Sequence, residues 1–338
     1  MNVVITAPLN DKTFTGLRAA IPEATFKGVD SLVRREFQLL KSGPGTDEQK
    51  RATADLDAVL GTAEAMLCGF RLPNDVPART PKLKWVQSMA AGVERLMDAG
   101  LFEAGITLTN AKGVAATPIA EWVLGAMLMF SKKMQVHFVR KTKKLYQRTD
   151  VLPFSLEGKT VGILGLGAIG LEVARLSSAL GMRVIATKRT VEGADTHHVD
   201  GLYPPSLTDE VFKASDFLVV ALPLTRETTK AVSERELRLM KRTAYILNVG
   251  RGPIIDEAAL VRALKEGVIA GAALDVFEKE PLPQESELWG LENVVYSPHI
   301  SGEVDDYDER AAALFAKNLR RYVSGQPLLN VVDRARGY

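Results

Sequence analysis

The run Val161-Gly162-Ile163-Leu164-Gly165-Leu166-Gly167-Ala168-Ile169-Gly170 constrains the fold of this chain more than any other stretch. Four residues of strand character, 161–164, enter a turn with glycine at 165, 167 and 170. Apolar residues then recur at helical spacing, at Ile169, Val173, Leu176 and Leu180. Strand, G-x-G-x-x-G and helix in that order make a dinucleotide fingerprint. Gly165 suits the tight turn, Gly167 the close approach of a pyrophosphate, and Gly170 the packing of helix on strand. The N–H groups at the helix start, around Ala168 and Ile169, offer partners to phosphate oxygens.

The surrounding pattern supplies the context the motif needs. Strand-like runs fall at 161–164, 183–186, 217–222, 244–249, 270–274 and 294–296, with helix-like runs between most of them. Ser233-Glu234-Arg235-Glu236 reads as a capping box, and Asp256 can cap the next helix. Six short strands with crossovers predict a doubly wound parallel sheet. Earlier apolar runs at 3–7, 65–68, 85–89 and 106–109, separated by helical stretches such as 47–60 and 92–98, predict a smaller parallel α/β unit. The polar segment 30–49 reads ambiguously. Thr117 reads as an N-cap with Pro118 in the first helical position, and 119–130 is apolar almost all round, which predicts a helix buried between domains or subunits. Glu121, the one charge in that stretch, reads as a capping or interface carboxylate. Residues 305–323 form an amphipathic pattern with Ala312, Phe315, Leu319 and Tyr322 on one face. The expected architecture is two Rossmann-like or flavodoxin-like α/β domains with doubly wound parallel sheets and a cleft between them. A substrate-binding domain takes 1–110 plus 300–338, and a dinucleotide-binding domain takes 111–299.

Composition narrows the class of function. The 338 residues suffice for two domains of about 150 each. A formal net charge of +2 argues against a nucleic-acid surface. Lys132, Lys133, Lys141, Lys143 and Lys144, with Arg140 and Arg148, read as a solvated face beside an anionic cofactor domain or a partner subunit. Cys68 stands alone in an apolar context, so no intrachain disulfide forms and a buried thiol is expected. The N-terminus lacks the pattern of a signal peptide. The longest apolar run, 122–130, is well short of the ~20 residues of a membrane span. The expectation is a soluble cytoplasmic protein with no membrane or nucleic-acid partner. His197-His198, adjacent in an extended segment, should point to opposite faces, and with no third ligand nearby no metal site is expected.

Three polar residues follow predicted strands: Arg251 in Asn248-Val249-Gly250-Arg251-Gly252, Glu280 in Phe277-Glu278-Lys279-Glu280-Pro281, and His299 in Ser297-Pro298-His299-Ile300. Ligands of open α/β sheets bind outside the carboxyl ends of the strands. Arginine there can grip a carboxylate in bidentate fashion. Histidine suits proton transfer near neutral pH, and a carboxylate beside it fixes its tautomer and favours its protonated form.

From about 159 to 302 the chain resembles the D-isomer-specific 2-hydroxyacid dehydrogenases. The matching pieces are Gly165-Leu166-Gly167-Ala168-Ile169-Gly170, Ala221-Leu222-Pro223-Leu224-Thr225, Asn248-Val249-Gly250-Arg251-Gly252, Ala273-Leu274-Asp275-Val276-Phe277 with Glu280-Pro281, and Ser297-Pro298-His299-Ile300. Ser88-Met89-Ala90-Ala91-Gly92-Val93 is similar to the family's substrate-carboxylate loop. The resemblance implies that Arg251 binds the substrate's carboxylate and carbonyl oxygen, that His299 exchanges a proton with that oxygen, and that Glu280 holds His299. It implies that Asp275 contacts the nicotinamide carboxamide and that N–H groups around Ala90, Ala91 and Gly92 hold the substrate carboxylate. It places Ala221, Leu222, Pro223, Val249 and Gly250 along the cofactor. The nicotinamide carries the redox step, and no metal is required.

An NAD-preferring site carries Asp or Glu about 20 residues past the glycines. Here the second strand ends Thr187-Lys188-Arg189-Thr190, with no acid. Two cations beside threonines suit a ribose 2′-phosphate, which predicts a preference for NADP(H), with NAD(H) possible. The resemblance further implies reduction of a short 2-oxoacid such as glyoxylate, hydroxypyruvate or a small aliphatic 2-ketoacid, and the buried helix from Pro118 predicts a homodimer. Rival readings are a nucleotide-sensing corepressor on the same scaffold and a phosphoglycerate dehydrogenase, although those enzymes often continue into regulatory C-terminal domains. Glu280 argues against a formate dehydrogenase, which has glutamine there.

Overall fold

Parallel strands cannot be joined by tight turns, so each needs a crossover. The alternation read above yields two such sheets in the computed structural model, which describes residues 1–41, 47–69, 71–148 and 151–335. The chain divides into two compact units, Met1–Val114 with Val304–Tyr338, and Ala115–Glu303. Each crossing falls four residues beyond the boundary read from sequence (114 against 110, 303 against 299). Hydrogen bonds explain the first shift. Ala111 N donates to Ala90 O (3.0 Å) and Asn330 Nδ2 to Lys112 O (2.8 Å), which ties 111–114 into the first unit.

The first unit holds β1 (Asn2–Ile5), β2 (Thr25–Gly28), β3 (Ala65–Cys68), β4 (Trp85–Ser88) and β5 (Thr107–Thr109), all parallel, in the order β2-β1-β3-β4-β5. This is the flavodoxin-like order. Side chains alternate between two buried faces. Val4, Met66, Cys68, Val86 and Leu108 pack in one core, while Val3, Ile5, Ala65, Leu67 and Trp85 pack in the other. The helix Tyr307–Val323 returns to cover the second face with Ala311, Ala312, Phe315 and Leu319. The Trp85 ring stacks on Phe315 (5.1 Å between centroids) and Tyr322 (5.5 Å). Its indole N–H donates to Thr109 Oγ1 at 2.8 Å, so the buried polar edge is satisfied. Burial pushes the Cys68 thiol up to about 12, which keeps it protonated and inert at neutral pH.

The second unit holds β6 (Thr160–Leu164), β7 (Arg183–Thr187), β8 (Gly201–Tyr203), β9 (Phe217–Val220), β10 (Tyr245–Asn248), β11 (Gly271–Leu274) and β12 (Val294–Tyr296). Their order is β12-β11-β10-β9-β6-β7-β8, and every pair is parallel. All carboxyl ends therefore lie along one edge, and the order reverses between β6 and β9. Such a switch point is where doubly wound sheets bind ligands. The helices Ala116–Ser131 and Ala168–Ala179 share one core with Val161, Ile163, Val184, Val219 and Leu247.

Several expectations need correction. Strands β2 and β8 were not foreseen. Both are short edge strands, and only Phe26 among their residues is buried. The stretch 92–98 holds only a single 3-10 turn, Glu94–Leu96. Of the ambiguous 30–49 segment, Asp30–Lys41 is helical and residues 42–46 lie outside the described residues. Thr117 is not an N-cap: the helix begins at Ala116, and the Thr117 hydroxyl points to Glu172. That helix is buried along a stripe of Ala120, Val123, Met127 and Phe130, while Leu128 is exposed. The His197 and His198 rings do not diverge. They lie 4.5 Å apart, because the backbone turns there instead of extending. Lys133 is no solvated cation: its ammonium donates to Tyr245 Oη at 2.9 Å and lies over the Phe154 and Tyr245 rings. No helix among the described residues is long and apolar enough to cross a membrane.

Candidate active site

β6 ends at Leu164, and Gly165 reverses the chain with φ +98°, a conformation natural only to glycine. A Cβ there would sit 2.8 Å from Ala221 O, just past the end of β9. One on Gly170 would sit 2.4 Å from Gly165 O. Both positions are closed by the protein itself. Gly167 is different, since a Cβ there would meet no atom within 4 Å. Packing gives no reason for that glycine, so close approach by a bound group remains. Gly167 is also the N-cap of Ala168–Ala179, and no side chain caps the amides that follow. Open space, uncapped amides and the positive helix end fit a pyrophosphate.

The next strand along, β7, delivers Thr187, Lys188 and Arg189. Thr187 is buried, and its backbone and hydroxyl oxygens accept from the amides of Leu166 (3.0 Å) and Gly165 (3.3 Å). Lys188 Nζ donates to Leu166 O at 3.1 Å, across the glycine loop. Arg189 pairs with Glu227 at 2.9 Å, both side chains being largely exposed. On the other side of β6, Ala221 N donates to Leu164 O (2.9 Å), and Leu222 and Pro223 continue along the strand edge.

Arg251, Glu280 and His299 follow β10, β11 and β12, three neighbouring strands. Asn248 shapes the first turn: its Oδ1 accepts from Gly250 N and its Nδ2 donates to Arg251 O, both at 3.1 Å. The Arg251 guanidinium donates to Gly250 O at 2.8 Å. A Cβ on Gly252 would overlap Phe277 O at 1.8 Å, so this turn lies directly against the Phe277–Glu278 backbone. Phe277 N in turn donates to Glu280 Oε1 (3.1 Å), and Glu280 Oε2 lies 2.9 Å from His299 Nδ1. A carboxylate only accepts, so Nδ1 carries the proton and Nε2 is the nitrogen left for exchange.

His299 itself has φ +57°, uncommon for a non-glycine residue and costing roughly 1–2 kcal/mol. Asp275, 2% exposed, holds it there. Asp275 Oδ1 accepts from Ser297 Oγ (2.6 Å), Ile300 N (2.9 Å) and Ser301 N (3.0 Å), and Oδ2 accepts from Ser301 Oγ. The His299 amide donates to Asp275 O at 2.8 Å. A hydrogen bond to a charged group contributes about 1.5–3 kcal/mol, so the bonds to the carboxylate together offset the strain. The family resemblance pointed to Asp275 but not to this role. The long-range bonds that give it have no linear signature.

In the first unit, β4 ends at Ser88 and leads into the loop at 89–92. Ala90 N donates to Ser88 Oγ at 3.0 Å, inside the loop. Ala91 is exposed and Gly92 half-buried.

A glycine loop open to a pyrophosphate, on the same strand edge as a carboxylate-held histidine, defines a dinucleotide-dependent dehydrogenase. Comparison with known proteins gives the particular lineage. The model of the D-isomer specific 2-hydroxyacid dehydrogenase NAD binding domain matches residues 124–301. The chain is 38% identical over 271 residues to a glyoxylate reductase of Aeropyrum pernix, covering 78% of this chain and 80% of the relative. It is 34% identical over 329 residues to a glyoxylate reductase of Thermococcus gammatolerans, covering 93% and 94%. Among solved structures, a D-isomer specific 2-hydroxyacid dehydrogenase from Xanthobacter autotrophicus, in complex with NADPH and MES, superposes with a TM-score of 0.80. It is 28% identical and covers 100% of this chain and 99% of its own. The chain belongs to the D-isomer specific 2-hydroxyacid dehydrogenase family and is an NAD(P)-dependent enzyme of that class.

The contrast between the glycines is testable. Gly167→Ala should leave the unfolding midpoint close to wild type yet weaken NADPH binding at least tenfold by fluorescence titration. Gly170→Ala, which forces a backbone clash, should cost about 1–3 kcal/mol of stability in urea unfolding. Unchanged NADPH affinity in Gly167→Ala would contradict the assignment of that space.

Proposed function

We propose that this enzyme reduces a short 2-oxoacid, glyoxylate foremost, to the 2-hydroxyacid with NADPH. The observation that carries the reading is the 2.9 Å contact between His299 and Glu280 at the edge that also bears Arg251 and the glycine loop. A bound reduced nicotinamide supplies the hydride. Arg251 grips the substrate carboxylate and polarises the carbonyl oxygen. His299 gives the proton on Nε2 to that oxygen, and Glu280 stabilises the imidazolium and fixes its orientation. Asp275 acts by holding the His299 turn. Its Oδ2 retains acceptor capacity for a nicotinamide carboxamide. The amides of Ala91 and Gly92, in the loop after β4, hold the substrate carboxylate. The Aeropyrum and Thermococcus relatives, both glyoxylate reductases, support the substrate class.

The preference for NADPH rests on Thr187, Lys188 and Arg189 at the end of β7, with no acid among them. The NADPH in the Xanthobacter structure supports it. A 2′-phosphate would draw Arg189 from Glu227, an exchange of one exposed ion pair for another at little cost. The enzyme acts as a homodimer. Phe138, Tyr146 and Leu152 are 55%, 92% and 74% exposed among the basic residues Arg140, Lys141, Lys143 and Lys144, exposed apolar side chains that a second copy would cover.

His299→Ala should lower kcat for glyoxylate by at least a hundredfold with NADPH affinity unchanged. Full activity in that variant would overturn the mechanism. Lys188→Asp with Arg189→Pro should move kcat/KM towards NADH by at least tenfold. Undiminished NADPH affinity there would show that neither cation meets the phosphate. Light scattering should return a mass twice 36.8 kDa, and a monomer in the wild type would refute the dimer.

A further inference from the structure

The loop after β4 is held by its carbonyls. Met89 O accepts from Tyr307 Oη at 2.7 Å, Ala90 O from Ala111 N at 3.0 Å, and Ala91 O from Asn110 Nδ2 at 2.9 Å. A trans peptide is planar, and its C=O and N–H point in opposite directions. Fixing a carbonyl therefore aims the amide of the following residue. Tyr307 sets the Met89–Ala90 peptide, whose N–H goes to Ser88 Oγ (3.0 Å) and closes the loop on itself. Ala111 sets the Ala90–Ala91 peptide and so aims the Ala91 N–H. Asn110 sets the Ala91–Gly92 peptide and so aims the Gly92 N–H. Asn110 is only 4% exposed, and its amide cannot flip without loss: Oδ1 already accepts from Lys112 N at 3.1 Å. Asn330 braces it further, with its carbonyl accepting from Asn110 N (3.1 Å). Two side chains, Asn110 from the end of β5 and Tyr307 from the first turn of the return helix, thus fix the loop from outside.

We propose that Asn110 and Tyr307 are positioning residues for substrate binding: Asn110 aims the Gly92 amide, and Tyr307 closes the loop that carries the Ala91 amide, so that both amides converge on the carboxylate of a 2-oxoacid. The proposal rests on the reading of this loop as the carboxylate site. It adds that the site depends on two side chains that need not touch the substrate. Preorganised amides bind a carboxylate without reorganisation, whereas amides free to rotate lose that advantage. Neither residue exchanges a proton, so loss of either should appear in KM and not in kcat.

The test compares glyoxylate with methyl glyoxylate, whose ester lacks the charge, in wild type, Tyr307→Phe and Asn110→Ala, with NADPH affinity measured alongside. Tyr307→Phe keeps the ring and removes only the hydroxyl. Wild type should strongly prefer the acid. Each variant should raise KM for glyoxylate about tenfold, the effect of one lost hydrogen bond of ordinary strength, while kcat for glyoxylate, kcat/KM for the ester and the Kd for NADPH stay within twofold. A merely structural role would lower activity on acid and ester together, and that result would overturn the proposal. So would unchanged KM for glyoxylate in both variants. A wild type indifferent to the ester would instead refute the loop as a carboxylate site.

Discussion

The Asp275 carboxylate is the contact on which the His299 turn depends. It is buried at the end of β11 and takes hydrogen bonds from both residues that follow His299 and from the serine two positions before it. These bonds hold His299 in a left-handed conformation that the residue would not adopt alone. That conformation puts Nδ1 against Glu280, and the proposed mechanism uses Nε2. The proposed acid–base group is thus set by a carboxylate that need not itself exchange a proton.

The sheet places this turn on the same edge as the glycine loop. Because every strand of the second unit is parallel, the glycine loop after β6, the cations after β7 and the Arg251, Glu280 and His299 turns share one edge. Gly252 lies so close to the Phe277–Glu278 backbone that no side chain fits between the Arg251 turn and the Glu280 segment. Glycines at 165 and 170 bring the first loop equally close to its own strand. Gly167 alone faces open space. The three glycines of one motif therefore answer to two requirements, internal packing and room for a ligand.

Much of this was legible in the sequence because the chemistry is local. The glycine run, the Asn248–Gly252 turn and the Ser297–His299 turn each carry their geometry in a few adjacent residues. The central strands showed as apolar runs because both faces of a parallel sheet are buried. The edge strands did not show. Thr25–Gly28 and Gly201–Tyr203 are short and largely unburied, so no apolar run marks them. The stretch 92–98 looked helical but holds only the 3-10 turn Glu94–Leu96, and the loop before it is fixed by distant donors, Asn110 and Tyr307. Those two residues, like the wrapping of Asp275, could not be read beforehand, since their partners lie far away in the chain or are backbone carbonyls without a side-chain signature.

In the proposed mechanism Nδ1 of His299 stays on Glu280 and Nε2 carries the reacting proton. With four histidines in the chain, nitrogen-15 NMR of histidine-labelled protein resolves them, and His299→Ala assigns the signal. At a pH where the ring is neutral, the Glu280 contact predicts the Nδ1–H tautomer for His299, lost when Glu280 is replaced by alanine. A neutral His299 found as the Nε2–H tautomer in the wild type, or a tautomer indifferent to Glu280, would contradict it.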